Sequence, residues 1–185
     1  YKYVDLILGK QCQTKMGRGG IRPLEFKTFS KEMQNAITNY CQAGGNFFVS
    51  GAYVASDLWD NRLVKANEED KKFAMEVLKY KWRVGQAARN GKVKSVASPF
   101  PEITGSYTYY QDLNPESYVV ESPDALEPAA QGAFTILRYS ENNLSAGIAY
   151  KGNYKTCVLG FPFEAIRTVT ERELLMKAIL TFFEH

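Results

Sequence analysis

Two short apolar runs, separated by one amphipathic helix, constrain the fold of this chain more than any other feature of its sequence. The first run is Val4–Leu8, which Gly9 ends, and the second is "NFFVS" at residues 46–50. Between them, Ser30 is placed to cap a helix with an apolar stripe, and Gly44 follows its last turn. Apolar runs without polar interruption are typical of strands covered on both faces. This order of elements therefore predicts a parallel sheet with helices packed on its faces.

The second half of the sequence favours antiparallel pairing. The dipeptide Asn90-Gly91 lies between two extended runs, which is a strong signal for a hairpin, and Gly152-Asn153 marks a further turn. Residues 98–131 are rich in Pro, Ser and Tyr and are predicted to form long surface loops with a short strand near Tyr107–Tyr110.

Two further helices are indicated by their starting residues. Asn67, followed by acidic residues, opens one of them. Thr170 and Glu173 are predicted to form the capping box of the last helix. The residues of the last helix that are predicted to face the core are Leu174, Leu175, Ala178, Ile179 and Phe182.

Together these elements predict an α/β fold. We expect a three-layer sandwich with a largely parallel central sheet, helices on both faces and antiparallel hairpin additions in the C-terminal half. A length of 185 residues fits one domain over 1–185. Because the chain enters a core strand at once, without a methionine or signal peptide, we expect a segment cut from a longer multidomain protein.

Composition argues against several classes of function. With 45% apolar and 23% charged residues the chain is typical of a globular domain, and no apolar run approaches the ~20 residues of a membrane span. A net charge of +3 gives no case for a nucleic-acid partner. The glycine-rich segment Gly17-Arg18-Gly19-Gly20 lacks the ending of a phosphate-binding loop, so no cofactor is predicted.

The three cysteines carry no metal-binding signature. Cys12, Cys41 and Cys157 are odd in number and far apart, and none belongs to a CxxC pair. Cys41 lies on an apolar helix stripe and Cys157 in an apolar strand, so both are predicted to be core residues. The redox state of all three stays open, and no metal site is predicted.

The turn after the second apolar run resembles the sharp strand-to-helix turn that carries the nucleophile of many hydrolases. That turn needs small residues two positions before and after its apex, because the backbone there is crowded. The pattern fits Gly51-Ala52-Tyr53-Val54-Ala55, which places Tyr53 at the apex. A phenol with a pKa near ~10 is a poor nucleophile unless a neighbouring base activates it.

This turn, the later hairpins and "VLGFPFEAI" before the last helix together resemble the class I glutamine amidotransferase-like superfamily, whose fold is flavodoxin-like. The resemblance implies a Cys–His–Glu triad, with the cysteine at the apex that Tyr53 occupies here. In the stretch Phe161–Glu164, Phe161 stands where the histidine is expected and Glu164 matches the glutamate. Two of the three triad members are therefore missing.

Other segments are similar to a narrower group. "VDLILGKQ", "SGAYVASDLWDN", "LKYKWRVGQAA", "ESPDALEPA" and "NNLSAGIAYKG" resemble a C-terminal module of large secreted bacterial proteins that are labelled xanthan lyase. This resemblance implies an extracytoplasmic location, at the cell surface, in the periplasm or secreted. It also implies neighbouring domains in the same chain and contact with polysaccharide.

If the domain has catalytic activity, its base must be a carboxylate or a lysine. The single histidine, His185, is the last residue and is expected to be frayed. The remaining combination is Tyr53 with Glu164 or Asp57. Asp57 and Asp60 share one helix face, which suits a hard cation, a general acid pair or, as we favour, a solvated helix end.

Aromatic side chains are the candidates for sugar contact. Tyr107, Tyr109 and Tyr110 cluster in one segment, and Tyr53 and Trp59 lie in the turn. Aromatic rings on a surface can stack on the apolar faces of sugars. The alternative, which the sequence favours, is that these rings cover the sheet or pack on a neighbouring domain.

Three functions follow from these observations. The favoured one is a non-catalytic accessory module of a secreted, polysaccharide-associated protein, with neighbouring domains or polysaccharide as its partners. The second is a hydrolase or polysaccharide lyase that uses Tyr53 with a nearby carboxylate. The third is a protein-interaction module, for which a contiguous exposed apolar patch is expected.

Overall fold

The computed structural model describes residues 1–20, 24–60 and 67–185. The strands are β1 (Tyr3–Ile7), β2 (Thr14–Lys15), β3 (Leu24–Glu25), β4 (Asn46–Ser50), β5 (Tyr80–Val84), β6 (Lys92–Ser95), β7 (Ser106–Thr108), β8 (Ala125–Pro128), β9 (Ala133–Tyr139), β10 (Ser145–Lys151) and β11 (Lys155–Leu159). The α-helices are α1 (Lys31–Gln42), α2 (Ser56–Trp59), α3 (Glu68–Phe73) and α4 (Val169–Glu184). A π-helical turn (Ala74–Leu78) continues α3, and 3-10 turns occupy Arg18–Gly20 and Phe163–Ala165.

Seven of these strands form one mixed sheet in the order β1-β4-β11-β10-β9-β6-β7. Strands β1, β4 and β11 are parallel to one another, and every pair from β11 to β7 is antiparallel. The central parallel strand is β4, with Val49 opposite Leu6 on one side and Val158 on the other. The sheet curls into a half-barrel.

The predicted three-layer α/β sandwich is wrong. The chain is β-rich, with only about 28% helix, and its main sheet is mixed rather than largely parallel. The strands expected as additions, β10, β9, β6 and β7, outnumber the three parallel strands of the same sheet. Helices do not complete a layer on both faces, because loops and strands supply much of the core beside α4. The physical reason is that the second half returns to the sheet through turns rather than through helical crossovers.

Both faces of β4 are buried, which explains its unbroken apolar run. Phe47 is 2% exposed and shares a hydrophobic cluster with Cys41 of α1. Phe48 points to the opposite face, because successive side chains of a strand alternate. It belongs to a second cluster that includes residues of α4, and its ring meets Phe163 edge-on at 5.7 Å.

The two predicted turns of the second half have different outcomes. Asn90-Gly91 forms a tight turn, in which Lys92 N donates to Asn90 Oδ1 at 3.0 Å, but the predicted hairpin is wrong. Strand β5 pairs with β8, and β6 pairs with β7 and β9. The turn at Gly152-Asn153 does join an antiparallel pair, β10 and β11, as predicted.

The last helix begins two residues earlier than its predicted capping box allows. Thr168 caps α4 and Glu171 completes a reciprocal capping box, so the prediction of Thr170 and Glu173 is wrong. Leu174, predicted to face the core, is 58% exposed. The four other predicted core residues of α4 are buried. No helix in the described part of the chain is both long and apolar enough for a membrane crossing.

Several local predictions are confirmed. Ser30 and Asn67 cap their helices, each by accepting a backbone N–H of the first turn. Cys41 and Cys157 are fully buried free thiols, and Cys12 is half-buried. Burial raises the pKa of Cys41 to about 12, so this thiol stays protonated and packs as a small apolar group.

The turn at Gly91 gives a test of the fold. A Cβ at Gly91 would lie 2.3 Å from the backbone oxygen of Tyr109, and its φ of +62° disfavours any L side chain. Gly105 has a similar φ of +81°, but a Cβ added there would meet no heavy atom within 4 Å. We expect Gly105→Ala to cost about 1 kcal/mol, the backbone term alone. Gly91→Ala should cost about 2–4 kcal/mol, because the backbone must also shift.

Urea unfolding of the two variants measures this difference. Equal losses of unfolding free energy for Gly91→Ala and Gly105→Ala would contradict the close approach of the residue 91 turn to the backbone that follows β7.

Candidate functional site

The candidate site is the turn over residues 51–60, at the carboxyl end of β4. Ala52 N donates to Gly9 O at 2.9 Å, and Gly51 N donates to Leu159 O at 3.3 Å. The loop that follows β1 and the last residue of β11 thus flank this turn directly. A Cβ on Gly51 would lie 3.0 Å from that of Leu8, which explains why the turn needs a glycine at this position.

Tyr53 lies at the apex of the turn and is half-buried. Burial raises the pKa of its phenol, a hydrogen bond with the side chain of Ser122 partly offsets this, and the charges of Glu121 and Asp124 raise it further. A nucleophile or base would need the opposite shift, because the phenolate is the reactive form. The apex therefore favours a neutral phenol that packs and donates hydrogen bonds.

Asp57, the first carboxylate proposed to assist Tyr53, is fully buried and holds two loops together. Its Oδ1 accepts from Gln13 N at 2.8 Å, and its Oδ2 accepts from Thr28 N and Thr28 Oγ1 at 2.9 and 2.8 Å. Burial raises the pKa of Asp57, and these hydrogen bonds act in the opposite direction. Asp60 is buried as well, so the solvated helix end favoured from the sequence is wrong.

Asp124 is the residue of this site that the sequence did not single out. Its side chain is fully buried, and its Oδ2 accepts from Ala55 N, Ser56 N and Ser56 Oγ at 2.8, 2.8 and 3.1 Å. Its Oδ1 accepts from Trp82 Nε1 at 3.2 Å. Burial raises the pKa of Asp124 to about 7, despite these hydrogen bonds. The start of α2 is thus capped by a carboxylate from a distant segment.

Glu164, the second carboxylate proposed to assist Tyr53, is paired with another tyrosine. Its Oε1 accepts from the hydroxyl of Tyr118, while its Oε2 is buried without a hydrogen-bond partner among the described residues. Gly9 makes room for this pair, since a Cβ there would lie 3.2 Å from Glu164 Oε1 and 3.2 Å from the hydroxyl oxygen of Tyr118. Asp5, although exposed on its strand, has its pKa raised to about 6 by desolvation and then by the charge of Glu164.

The aromatic cluster predicted for sugar contact lies in the core. Tyr107, Tyr109 and Tyr110 are 3%, 1% and 8% exposed. Tyr109 stacks on Phe161 with ring centroids 4.9 Å apart. These rings cover the sheet, which is the alternative the sequence favoured. Trp59 is half-buried and packs at an angle against Tyr80, with ring centroids 6.2 Å apart.

The polar groups of this turn bind backbone N–H groups of the fold and are not arranged around a substrate atom. The two buried aspartates use their oxygens on backbone and side-chain donors, and the apex phenol has a raised pKa. Within residues 1–20, 24–60 and 67–185, no three His, Cys, Asp or Glu side chains are grouped so that they could hold a metal ion.

No family model and no curated protein matches this sequence. The fold does have relatives. Over 83% of its length the chain is similar to part of a β-galactosidase from Rahnella sp. R3, with a TM-score of 0.56 and 13% sequence identity. The chain spans only 21% of that galactosidase. It is also similar to the N-terminal domain of mmIFT52, with a TM-score of 0.47 and 15% identity, over 85% of this chain and 72% of that one.

The pKa of Asp124 gives a test of its structural role. Because the folded pKa of about 7 lies above the unfolded value of ~4, the folded state holds the proton more tightly. The stabilisation from this protonation is fully present below pH ~4 and is lost as the pH rises through about 7. Asp124→Asn should remove this pH dependence, because the amide does not titrate.

The same variant should cost about 1–3 kcal/mol at neutral pH, because an amide NH2 replaces one acceptor among four donors. Urea unfolding across the pH range measures both effects, with Asp112→Asn as the exposed control. Parallel pH profiles for wild type and Asp124→Asn would show that the buried carboxyl does not titrate as described.

Proposed function

We propose that this domain is a non-catalytic accessory module of a secreted, polysaccharide-associated protein. The observation that carries the proposal is that the polar side chains at the turn over residues 51–60 hold the fold together. The carboxylates of Asp57 and Asp124 accept hydrogen bonds that hold the fold, and burial keeps the phenol of Tyr53 neutral. Asp57 and Asp124 are thereby occupied in holding the fold, and the phenol of Tyr53 is in the form that neither attacks a substrate nor removes a proton.

The polysaccharide association and the location outside the cytoplasm rest on the sequence segments that resemble xanthan lyase-labelled proteins. The degenerate amidotransferase-like triad, with Tyr53 and Phe161 in place of cysteine and histidine, belongs to the same proposal. The fold similarity supports a modular role, since the related fold makes up about a fifth of a longer galactosidase chain.

The outer face of α4 supports contact with a neighbouring domain of the same chain. Val169 and Leu180 are 59% and 39% exposed, and with Phe163 and Met176 they form the apolar part of a groove of about 540 Å³, whose other lining residues are polar or charged. Apolar surface that stays exposed in a continuous groove is a common mark of an interaction site. We therefore assign this face to the domain contact and not to the polysaccharide.

The domain contact can be tested by the oxidation of methionine. Met176 lies in the groove and is partly exposed, so dilute peroxide should oxidise it readily in the isolated 185-residue chain. In the full-length protein its oxidation should slow, because the neighbouring domain covers it. Met75, in the π-helical turn that follows α3, is also partly exposed and serves as the control.

Mass spectrometry of the two methionine peptides gives both rates. If Met176 reacts equally fast in the full-length protein and in the isolated chain, the α4 face is free and the proposed contact is wrong.

The absence of catalysis is tested with Tyr53→Phe. We expect neither the wild-type chain nor this variant to release reducing ends or unsaturated products from acidic or neutral polysaccharides. The reason is that the phenol of Tyr53 is neutral and half-buried, while Asp57 holds backbone groups and Glu164 is paired with Tyr118. Thermal unfolding of both proteins confirms that they are folded. Turnover by the wild type that disappears in Tyr53→Phe would establish the hydrolase or lyase alternative instead.

A further inference from the structure

A lysine and two tyrosines form a cluster at the end of the sheet opposite to the turn over residues 51–60. Lys79 follows the π-helical turn, Tyr150 lies near the end of β10, and Tyr154 lies in the turn before β11. The Nζ atom of Lys79 is 5.0 Å from the ring centroid of Tyr150 and 5.7 Å from that of Tyr154. The two rings are 5.3 Å apart and inclined at 56°. All three side chains are partly exposed.

Lys79 differs from the neighbouring lysines in its charge partners. Lys71, Lys72 and Lys81 each form an ion pair with a glutamate, at 2.7, 4.0 and 3.3 Å. No described carboxylate forms such a pair with Lys79, whose ammonium group faces the two rings. The cluster therefore presents a positive charge that no acidic side chain in the described part of the chain neutralises.

The backbone at Lys79 is also unusual. Its φ of +67° and ψ of 25° lie in the left-handed region, and it follows the end of a helix, where glycine is the residue with least strain. The contact of a lysine with partly exposed rings is weak and only comparable with the cost of this backbone conformation. The lysine side chain therefore adds little net stability to the fold at this position. We take this as an indication that the side chain serves in binding.

The tyrosines are held in place by their surroundings. The hydroxyl of Tyr154 donates to Val77 O at 2.8 Å. The ring of Tyr150 lies across two glycines, since a Cβ on Gly152 would be 2.0 Å from its Oη and one on Gly132 would be 3.3 Å from its Cε2. Rings that are fixed before binding lose little conformational entropy when a ligand packs on them.

We propose that the cluster of Lys79, Tyr150 and Tyr154 binds a uronic acid residue of an acidic polysaccharide. The ammonium group pairs with the sugar carboxylate, and the apolar face of the sugar ring packs on the tyrosines. This site rests on the proposed function, because it supplies the polysaccharide contact of the accessory module. It replaces the buried tyrosines 107, 109 and 110 as the aromatic contact surface.

Isothermal titration of the 185-residue chain with trigalacturonate tests this site, with galactotriose as the matched neutral ligand. We expect trigalacturonate to bind more tightly, because only it carries carboxylates. Lys79→Met keeps the aliphatic stem and removes the charge, and it should weaken binding about tenfold or more. Tyr150→Ala should weaken it similarly. Lys151→Met, on the same hairpin but on the opposite face of the sheet, is the control and should leave binding unchanged.

Lys79→Gly separates binding from folding. Glycine relieves the left-handed backbone but removes the ring contacts, and these effects are of comparable size, so this variant should unfold at about the same urea concentration as the wild type while losing affinity for trigalacturonate. A loss of stability in Lys79→Gly would show that the lysine is kept for the fold, and would overturn the proposal.

The remaining outcomes distinguish the two levels of the proposal. Binding of trigalacturonate that survives Lys79→Met and Tyr150→Ala overturns this site and leaves the accessory function intact. Equal affinity for galactotriose, or for monomeric galacturonate, overturns the recognition of a uronate within a chain. Failure of every oligosaccharide to bind removes the polysaccharide contact altogether and leaves the domain contact through α4.

Discussion

The buried carboxylate of Asp124 is the interaction on which the rest of the candidate site depends. A carboxylate in the core is costly unless donors surround it, and here the backbone N–H groups of Ala55 and Ser56, the Ser56 hydroxyl and the indole of Trp82 supply them. Its backbone takes part as well, since Asp124 N donates to Gly160 O and Asp124 O accepts from Tyr139. One residue therefore joins the turn after β4, the ribbon of β5 and β8, and the end of β11, and in doing so it fixes where Tyr53 lies.

Asp57 is a second buried carboxylate that accepts hydrogen bonds from the fold, and it holds the loops at Gln13 and Thr28. Together the two aspartates explain how a turn that resembles a catalytic elbow serves as a structural joint. Both carboxylates are buried and accept hydrogen bonds from the fold, so a substrate cannot reach them. The side chains that a partner or ligand can reach lie elsewhere. They line the groove along α4 and form the cluster of Lys79 with two tyrosines.

Features that depend on neighbours in the sequence were predictable. Strand β4, the caps at Ser30 and Asn67 and the burial of Cys41 follow from local pattern, and all are present. Strand β1 is present too, but its predicted burial on both faces is wrong, because β1 is an edge strand and Ile7 is 50% exposed. Features that depend on distant partners were not. Strand β5 pairs with β8 and not with β6, the next strand in the sequence, although Asn90-Gly91 favours a hairpin. The seven residues between β5 and β6 allow these two strands to separate. The sequence placed Tyr107, Tyr109 and Tyr110 in one segment, but only tertiary packing, such as that of Tyr109 on Phe161, decided that these rings lie in the core.

The sequence by itself determined the crowded turn, its phenolic apex and the missing imidazole, because these are properties of residue identity and spacing. The tertiary structure alone decided that the sheet is mixed and that Asp124, rather than a residue near Tyr53 in the sequence, completes the turn. The physical reason is separation along the chain. Asp124 meets Ala55 and Ser56 across 69 and 68 positions, and no local periodicity records a contact over that distance.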